Sequence, residues 1–341
     1  MTDKKNNISK RILVAPLDWG LGHATRCIPL IRRLLADENQ VFLAGSGASG
    51  HLLRSEFPQL PYAEIPSHTV HYAQSRNAFH WSILKQIPAL MKQVGAERKW
   101  LGQYLSTQPI DTVLSDNRYG LHHPTTHNIL ITHQLGLKSG LYKWMDRMLQ
   151  RMLYRLLKNF HEVWVPDNKD EPWLSGELGH PKYTPPCPIK YIGPLSRFTA
   201  TNRNQIPNKI TILLSGPEPQ RTLLEEKCMH ELAKWKGPVT MIRGLPLGGK
   251  QINAPAHWKV VDHLSIDPLQ QEIEEAEHFI ARCGYSTIMD LYVLNKRAIL
   301  IPTPGQPEQE YLGRWINEQS LFQIQDQQQH LLREIDKFDH Q

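Results

Sequence analysis

Short apolar runs, each followed by a helical period, recur along the chain. Residues 12–15 carry no polar interruption, as a strand buried on both faces requires, and they lead into 23–36, where Cys27, Leu30, Ile31, Leu34 and Leu35 fall at helical spacing. Residues 41–44 predict a second strand, followed by a glycine turn over 45–50 and a helix through Leu52 and Leu53. Further strands are predicted at 111–114, running into Ser115-Asp116-Asn117, at 129–132 and at 163–165, and Tyr191-Ile192-Gly193-Pro194 closes this first series. Residues 196–208 are polar and have the composition of a linker. The rhythm then restarts: strand 210–214, helix 223–235, strands 239–242 and 258–261, a short helix 266–276, strand 279–281, helix 286–294 and strand 298–301. The Gln-rich tail from Gln323 predicts a frayed helix that packs back on the first domain. Alternating strands and helices predict parallel sheets, so two such series predict an α/β protein with two Rossmann-like domains, residues 1–200 and 201–341.

A length of 341 residues suits two domains of ordinary size, and 40% hydrophobic with 21% charged residues is a globular composition. No apolar run approaches the roughly 20 residues of a membrane span. The first residues lack the apolar stretch and cleavage site of a secretory signal, so a cytoplasmic protein is expected. The four cysteines form no C-x-x-C pair, and His122, His123, His127 and His133 have no completing carboxylate or cysteine pattern, so reduced thiols and no metal are expected. A net charge of +6 favours an anionic partner such as a nucleotide or a lipid headgroup. Nucleic acid is not expected, because the basic residues are not interleaved with aromatics. Over 141–158, Lys143, Arg147, Arg151 and Arg155 recur every four residues, opposite Leu141, Met145, Met148, Leu149, Met152, Leu153, Leu156 and Leu157. This reads either as a basic helix at an anionic membrane surface or as an ordinary helix with a solvated basic face.

Two glycine loops sit between an apolar run and a helix: Asp18-Trp19-Gly20-Leu21-Gly22-His23 and Arg282-Cys283-Gly284-Tyr285-Ser286-Thr287. A helix start presents backbone N–H groups and a positive dipole end, and so suits an anion. In the second loop Gly284, Tyr285, Ser286 and Thr287 are placed to cradle a diphosphate. Asp290, one turn on, reads as an acceptor for ribose hydroxyls or as an acid favoured by the dipole. Ser215-Gly216-Pro217-Glu218-Pro219-Gln220-Arg221 follows the first strand of the second series. Ser215, Gly216 and Arg221 there, with Arg243 at the end of the next strand, are candidate phosphate contacts, although the two prolines remove N–H donors and Glu218 repels phosphate. In the first loop His23 opens a helix, whose dipole favours the neutral imidazole that a general base requires, and Asp116 at another strand end is placed to orient it. The other reading of His23 is a helix-cap histidine. Asp18, Gly20 and Gly22 complete this acceptor-side loop. The chain has no Asp-x-Asp, which favours leaving-group stabilisation by dipoles and basic groups rather than by a metal ion.

Asp262-His263-Leu264, the segment from Arg282 to Asp290, Ile299-Leu300-Ile301-Pro302 and Gln309-Glu310-Tyr311 resemble, in order and spacing, the C-terminal domain of the MurG-like (family 28) glycosyltransferases. Those enzymes add N-acetylglucosamine to a lipid-linked precursor. Gly20-x-Gly22-His23 matches more loosely. The resemblance implies GT-B architecture, with two Rossmann-like domains whose parallel sheets face a central cleft. It implies an inverting, metal-independent transfer without a cofactor, from a nucleotide diphosphate sugar, a UDP-sugar foremost, to a hydroxyl acceptor of the lipid-linked kind at the inner face of a membrane. It further implies a nucleobase beside His263 and Leu264, the ribose on the acid at 290 (Glu in the family, Asp here), and the donor sugar on Gln309 and Glu310. Glu310 stands where the family has Gln and cannot donate a hydrogen bond. Both residues also read as the polar start of a helix. A nucleotide-sugar 2-epimerase using Glu308 and Glu310, and a non-catalytic nucleotide-sugar-binding protein, are the alternative functions.

Overall fold

The computed structural model describes residues 9–18, 21–66, 76–136, 143–201, 203–332 and 335, with backbone alone for 76–87 and 143. The first series of elements is β1 (Arg11–Pro16), α1 (Leu21–Ala36), β2 (Gln40–Gly45), α2 (Gly47–Glu56), β3 (Tyr62–Glu64), α3 (Arg76–Leu105), β4 (Thr112–Asp116), β5 (His127–Ile131), α4 (Lys143–Leu157), β6 (Glu162–Val165) and β7 (Ile189–Tyr191). The seven strands form one parallel sheet in the order β3-β2-β1-β4-β5-β6-β7. Leu13, Val14 and Ala15 of β1 are fully buried, which is why the run has no polar position. The strand order reverses between β1 and β4. At such a point neighbouring loops leave the strand ends in opposite directions and open a crevice where ligands collect. Pro16 and Asp116 are register partners at that end.

The second series is β8 (Ile206–Leu213), α5 (Gln220–Leu232), β9 (Val239–Ile242), β10 (Trp258–Val261), α6 (Ile266–Glu275), β11 (Ala276–Arg282), α7 (Tyr285–Val293), β12 (Ile299–Ile301), α8 (Pro307–Glu318) and β13 (Gln323–Ile324). Its six parallel strands run β10-β9-β8-β11-β12-β13 and reverse between β8 and β11. The loops after β8 and β11 therefore flank this sheet's crevice. All four cysteines are buried and unpaired, and burial pushes the Cys228 thiol up to about 12.

Three expectations are corrected here. The polar stretch from 196 is not a free linker. Ser196 Oγ donates to Asp290 (2.6 Å), Thr201 N and Oγ1 donate to Glu274 (2.7 and 2.6 Å), and Gln270 Nε2 donates to Thr199 O (2.5 Å). Its polar residues are fasteners to α6 and α7, and the two units divide between Leu195 and Ser196. Asp170–Gly176 also groups with the second unit, where Trp315 Nε1 donates to Trp173 O (2.6 Å). The described part of the tail belongs to the second unit. Its strand β13 pairs with β12, and Leu331 and Ile335 join Ile210, Leu224 and Cys228 in the second unit's core. Residues 47–50 open α2 rather than forming a turn.

Helix α4 buries Met145, Leu149, Leu153 and Leu157 and exposes Arg147, Arg151 and Arg155. Met148 departs from the expected apolar side. It lies on the exposed face with Trp144, at 43% and 63% exposure. Residues 141 and 142 lie outside the described ones.

Candidate active site

The first crevice brings His23 and Asp116 together. His23 is in the first turn of α1, and its Nδ1 lies 3.0 Å from Oδ1 of Asp116, the last residue of β4. Sequence reasoning missed a third member. Arg26, one turn along α1, donates Nε to Asp116 Oδ2 (2.5 Å) and Nη2 to Oδ1, while the same Nη2 sits 2.8 Å from His23 Nδ1. The Arg26 guanidinium also reaches His133 Nδ1 (3.3 Å), and the Cys27 thiol lies 3.6 Å from Asp116 Oδ2. Burial by itself raises the Asp116 carboxyl, but the charge of Arg26, joined by that of His23 once the ring is protonated at acid pH, overcomes it and holds the group well below the usual carboxylate range. An arginine within the buried stripe Ala24–Ile28 was the available signal.

The Asp116 shift fixes a pH dependence. Its folded-state value is below the unfolded one of about 3.9. The ionised carboxylate therefore adds stability above about pH 4 that is lost as pH falls toward the folded value. Asp116→Asn leaves Arg26 buried without its counter-charge and is expected to cost about 3–5 kcal/mol at pH 7. In urea unfolding at pH 7 and pH 3, the gap between wild type and Asp116→Asn should narrow at the lower pH. An equal gap at both would contradict the ion pair.

Asp18 faces inward rather than presenting itself to an acceptor. Ser46 Oγ donates to its Oδ2 (2.9 Å), and Arg118 Nη2 lies 3.6 Å from its Oδ1. Arg118 is itself buried, and it donates to Pro16 O (2.8 Å), Glu97 Oε1 (2.9 Å) and Ser46 Oγ (3.2 Å). Gly120 N donates to the other Glu97 oxygen (3.1 Å). Burial raises the Glu97 carboxyl against the opposing pull of Arg118. This network ties the loops after β1, β2 and β4 to α3, so Asp18 shapes the crevice edge. Gly22 lies in the first turn of α1, its carbonyl accepting from Thr25 Oγ1 (3.0 Å), and Gly20 lies outside the described residues.

In the second crevice Gly284 is the N-cap of α7, so the cap residue itself brings no side chain to the helix start. A Cβ built on Gly284 would meet nothing nearer than Thr287 Oγ1 at 3.9 Å, so space lies open in front of its backbone. Ser286 and Thr287 are half-buried in the first turn, whereas the Tyr285 side chain is buried. Ser215 and Gly216 are exposed at the end of β8, and a Cβ on Gly216 would come 3.8 Å from Thr303 Oγ1, just past β12. His263 and Leu264 are half-buried after β10, and burial with the nearby Arg197 charge lowers the His263 imidazole.

Several candidate contacts are already engaged. Arg221 donates to Glu218 (2.6 Å), Glu225 (2.9 Å) and Thr222 (2.7 Å). Arg243 donates to Glu225 (2.7 Å), Asp262 (2.7 Å) and Lys250 O (2.8 Å). Both guanidinia are buried and paired with carboxylates, so neither is presented uncompensated to a phosphate. Asp290 is 8% exposed and accepts from Ser196, with Arg197 Nε 3.8 Å from its other oxygen. It anchors the chain entering the second unit. Gln309 is buried. Its Oε1 accepts from Thr303 N and Oγ1 (3.0 Å each), its Nε2 donates to Gln306 (2.9 Å), and Glu310 accepts from Gly305 N (2.9 Å). These two residues brace the turn after β12.

Arg282, quoted in the motif but not chosen as a site residue, is fully buried at the end of β11. It donates to Gln220 O (2.6 Å), Gln327 Oε1 (2.7 Å) and Pro302 O (3.4 Å), all neutral acceptors, and burial lowers it to about 10. It joins the start of α5, the turn after β12 and the tail behind the Gly284 loop.

Residues 251–322, wholly within the second unit, match the glycosyltransferase family 28 C-terminal domain. No curated protein sequence matches the chain. Solved structures of similar fold include the glycotransferase of kitacinnamycin, at 15% identity over 93% of this chain and 86% of that one, with a TM-score of 0.63. Arabidopsis thaliana UGT89C1, complexed with UDP-L-rhamnose, is 13% identical over 94% and 86% at 0.60. Acinetobacter baumannii MurG is 13% identical over 97% and 90% at 0.55. The chain therefore has the GT-B fold, and residues 251–322 are similar to the glycosyltransferase family 28 C-terminal domain.

Proposed function

We propose that the chain transfers a sugar, with inversion and without a metal ion, from a nucleotide diphosphate sugar, a UDP-sugar foremost, to a hydroxyl acceptor. The observation that carries this is the start of α7, where glycine is the N-cap and space lies open in front of Gly284, within a stretch that matches a family 28 domain. Backbone N–H groups of the first turn, with the Ser286 and Thr287 hydroxyls, receive the diphosphate, and the helix dipole stabilises it as it leaves. His263 and Leu264 flank the nucleobase. In the first unit His23 takes the acceptor proton on Nε2 while the acceptor oxygen attacks the anomeric carbon. The new C–O bond forms as the bond to the diphosphate breaks on the opposite face, and a single displacement inverts the centre. The neighbour complexed with UDP-L-rhamnose supports the choice of nucleotide.

Product analysis tests the reading. Purified protein is incubated with UDP-sugars, with and without a lipid extract as acceptor, and products are identified by mass spectrometry. Nucleotide release that depends on the extract is expected. A changed sugar on intact nucleotide without acceptor means epimerisation, and no product with retained nucleotide binding means a binding protein.

A membrane-surface acceptor is the finer part of the proposal. Trp144 and Met148 lie on the exposed face of α4 beside Arg147, Arg151 and Arg155, an apolar and cationic face suited to an anionic bilayer surface. No helix among the described residues is long and apolar enough to cross a membrane. Co-sedimentation with vesicles containing anionic lipid, but not with purely zwitterionic vesicles, is expected, and Trp144→Ala with Arg151→Gln should weaken it. Equal binding to both vesicle types would contradict this role for α4.

A further inference from the structure

The His23–Asp116 pair differs from a two-member base, because a permanently charged group shares the carboxylate. We propose that Arg26 is a positioning residue that takes Asp116 as its own ion-pair partner and thereby keeps the His23 imidazole neutral and ready to accept a proton. The inference rests on the reading of His23 as the base and adds the group that sets its working pH.

The geometry has three parts. Arg26 presents its Nε–Nη2 edge to both oxygens of Asp116, the bidentate arrangement that matches a guanidinium to a carboxylate. Asp116 is 0% and Arg26 2% exposed, so solvent does not screen the pair. His23 Nδ1 is 3.0 Å from Asp116 Oδ1 and 2.8 Å from Arg26 Nη2, so the ring touches both members at once.

An aspartate acting alone would stabilise the imidazolium and hold a proton on the ring. A neutral Arg–Asp pair offers no such net charge, and a guanidinium 2.8 Å away repels a second cation. Asp116 Oδ1 accepts Nδ1–H, which directs the Nε2 lone pair outward to take the acceptor proton, and the donor-only Arg26 Nη2 then makes no hydrogen bond to Nδ1 but stands beside it as a charge. The surrounding groups agree with this balance. From α1 come Arg26 and the Cys27 thiol, whose ionisation burial opposes. From the end of β4 come Asp116 and Tyr119, whose phenol burial pushes up to about 12. From beyond β5 comes His133, which contacts Arg26. The α1 start adds a positive dipole end beneath His23.

Three experiments on the full chain test the proposal. In wild type, the His23 ring followed by NMR with a His23→Gln spectrum for assignment should titrate below the ordinary value of about 6.5. Titration above it overturns the proposal, whatever the activity. In Arg26→Met, Asp116 faces the ring alone, so the acidic limb of the kcat profile and the ring titration should both move up by about one pH unit, while Arg26→Lys should restore the wild-type limb. An unmoved ring in a folded Arg26→Met protein also overturns it. Should Arg26→Met not fold, the wild-type titration and Arg26→Lys still decide the matter. If His23→Ala retains turnover, the base reading fails while the ring titration still reports on Arg26, so the two failures are distinguishable.

Discussion

Replacing Glu225 by alanine is expected to destabilise the second unit by about 3–5 kcal/mol, the cost of stripping a buried ion pair of one partner. Glu225 is buried on α5 and accepts from Arg221 Nη1 (2.9 Å) and from Arg243 Nε and Nη2 (2.7 and 3.3 Å). One carboxylate thus neutralises two buried guanidinia on different elements. Arg243 retains Asp262 and Lys250 O when Glu225 is lost, and Arg221 retains the largely exposed Glu218, so neither keeps a fully buried counter-charge. A fall in Tm on the order of 10 °C should accompany the change. Arg243 also fastens the 245–250 loop, with Asp262 accepting from Gly249 N (2.9 Å), so nucleotide binding in the folded variant should weaken as well. Urea unfolding monitored by circular dichroism measures the first effect. A loss below about 1 kcal/mol would mean that the two arginines do not depend on Glu225.

His23→Ala carries the largest expected effect on turnover, a fall in kcat of roughly 10²–10⁴, the usual contribution of a positioned general base. Nucleotide affinity should remain within about twofold, because His23 belongs to the first unit and the proposed diphosphate site at Gly284 to the second. Steady-state kinetics with calorimetric titration of UDP separates these quantities. Unchanged turnover removes His23 from the reaction, and an equal loss of affinity assigns it to donor binding instead.

The strands were legible because a strand buried on both faces leaves a continuous apolar run. Leu13, Val14 and Ala15 of β1 are the clear case, and 239–242 and 258–261 also coincide with β9 and β10 in both bounds, although β10 is an edge strand with an exposed Lys259. Helix α3 was not legible. Its 30 residues include Pro88, Gly95 and Gly102 and show little apolar periodicity, and its buried Gln93 and Glu97 are polar groups satisfied by each other and by Arg118. Helix α2 was obscured because Gly47 and Gly50 are weak helix formers. Gly50 is there for close approach: a Cβ on it would fall 2.2 Å from Tyr62 Oη.

The site was legible where it depended on local order. A strand end followed by a helix start marked both crevices, and His23 and Asp116 did meet across 93 residues of sequence. It was not legible where a charge had two possible destinations. Arg221 and Arg243 next to a glycine turn looked like phosphate contacts, but Glu225 and Asp262, separated from Arg243 by 18 and 19 positions, claim them. Asp290 likewise went to Ser196, 94 positions away. Arg26 was hidden for the opposite reason, since one arginine in an apolar stripe has no pattern and only the fold shows Asp116 beneath it.

The central claim is that a diphosphate is held at the start of α7, and Gly284→Ala tests it most directly. Gly284 has φ −84°, which alanine adopts without strain, and the added methyl meets only Thr287 Oγ1 at 3.9 Å, so the fold should be unaffected. Calorimetric titration with uridine and UDP is the measurement. Wild type should bind UDP at least tenfold more tightly than uridine, and Gly284→Ala should lose most of that difference with its Tm nearly unchanged. Equal binding of uridine and UDP by wild type, or full retention of the UDP preference in a folded Gly284→Ala, would contradict the account.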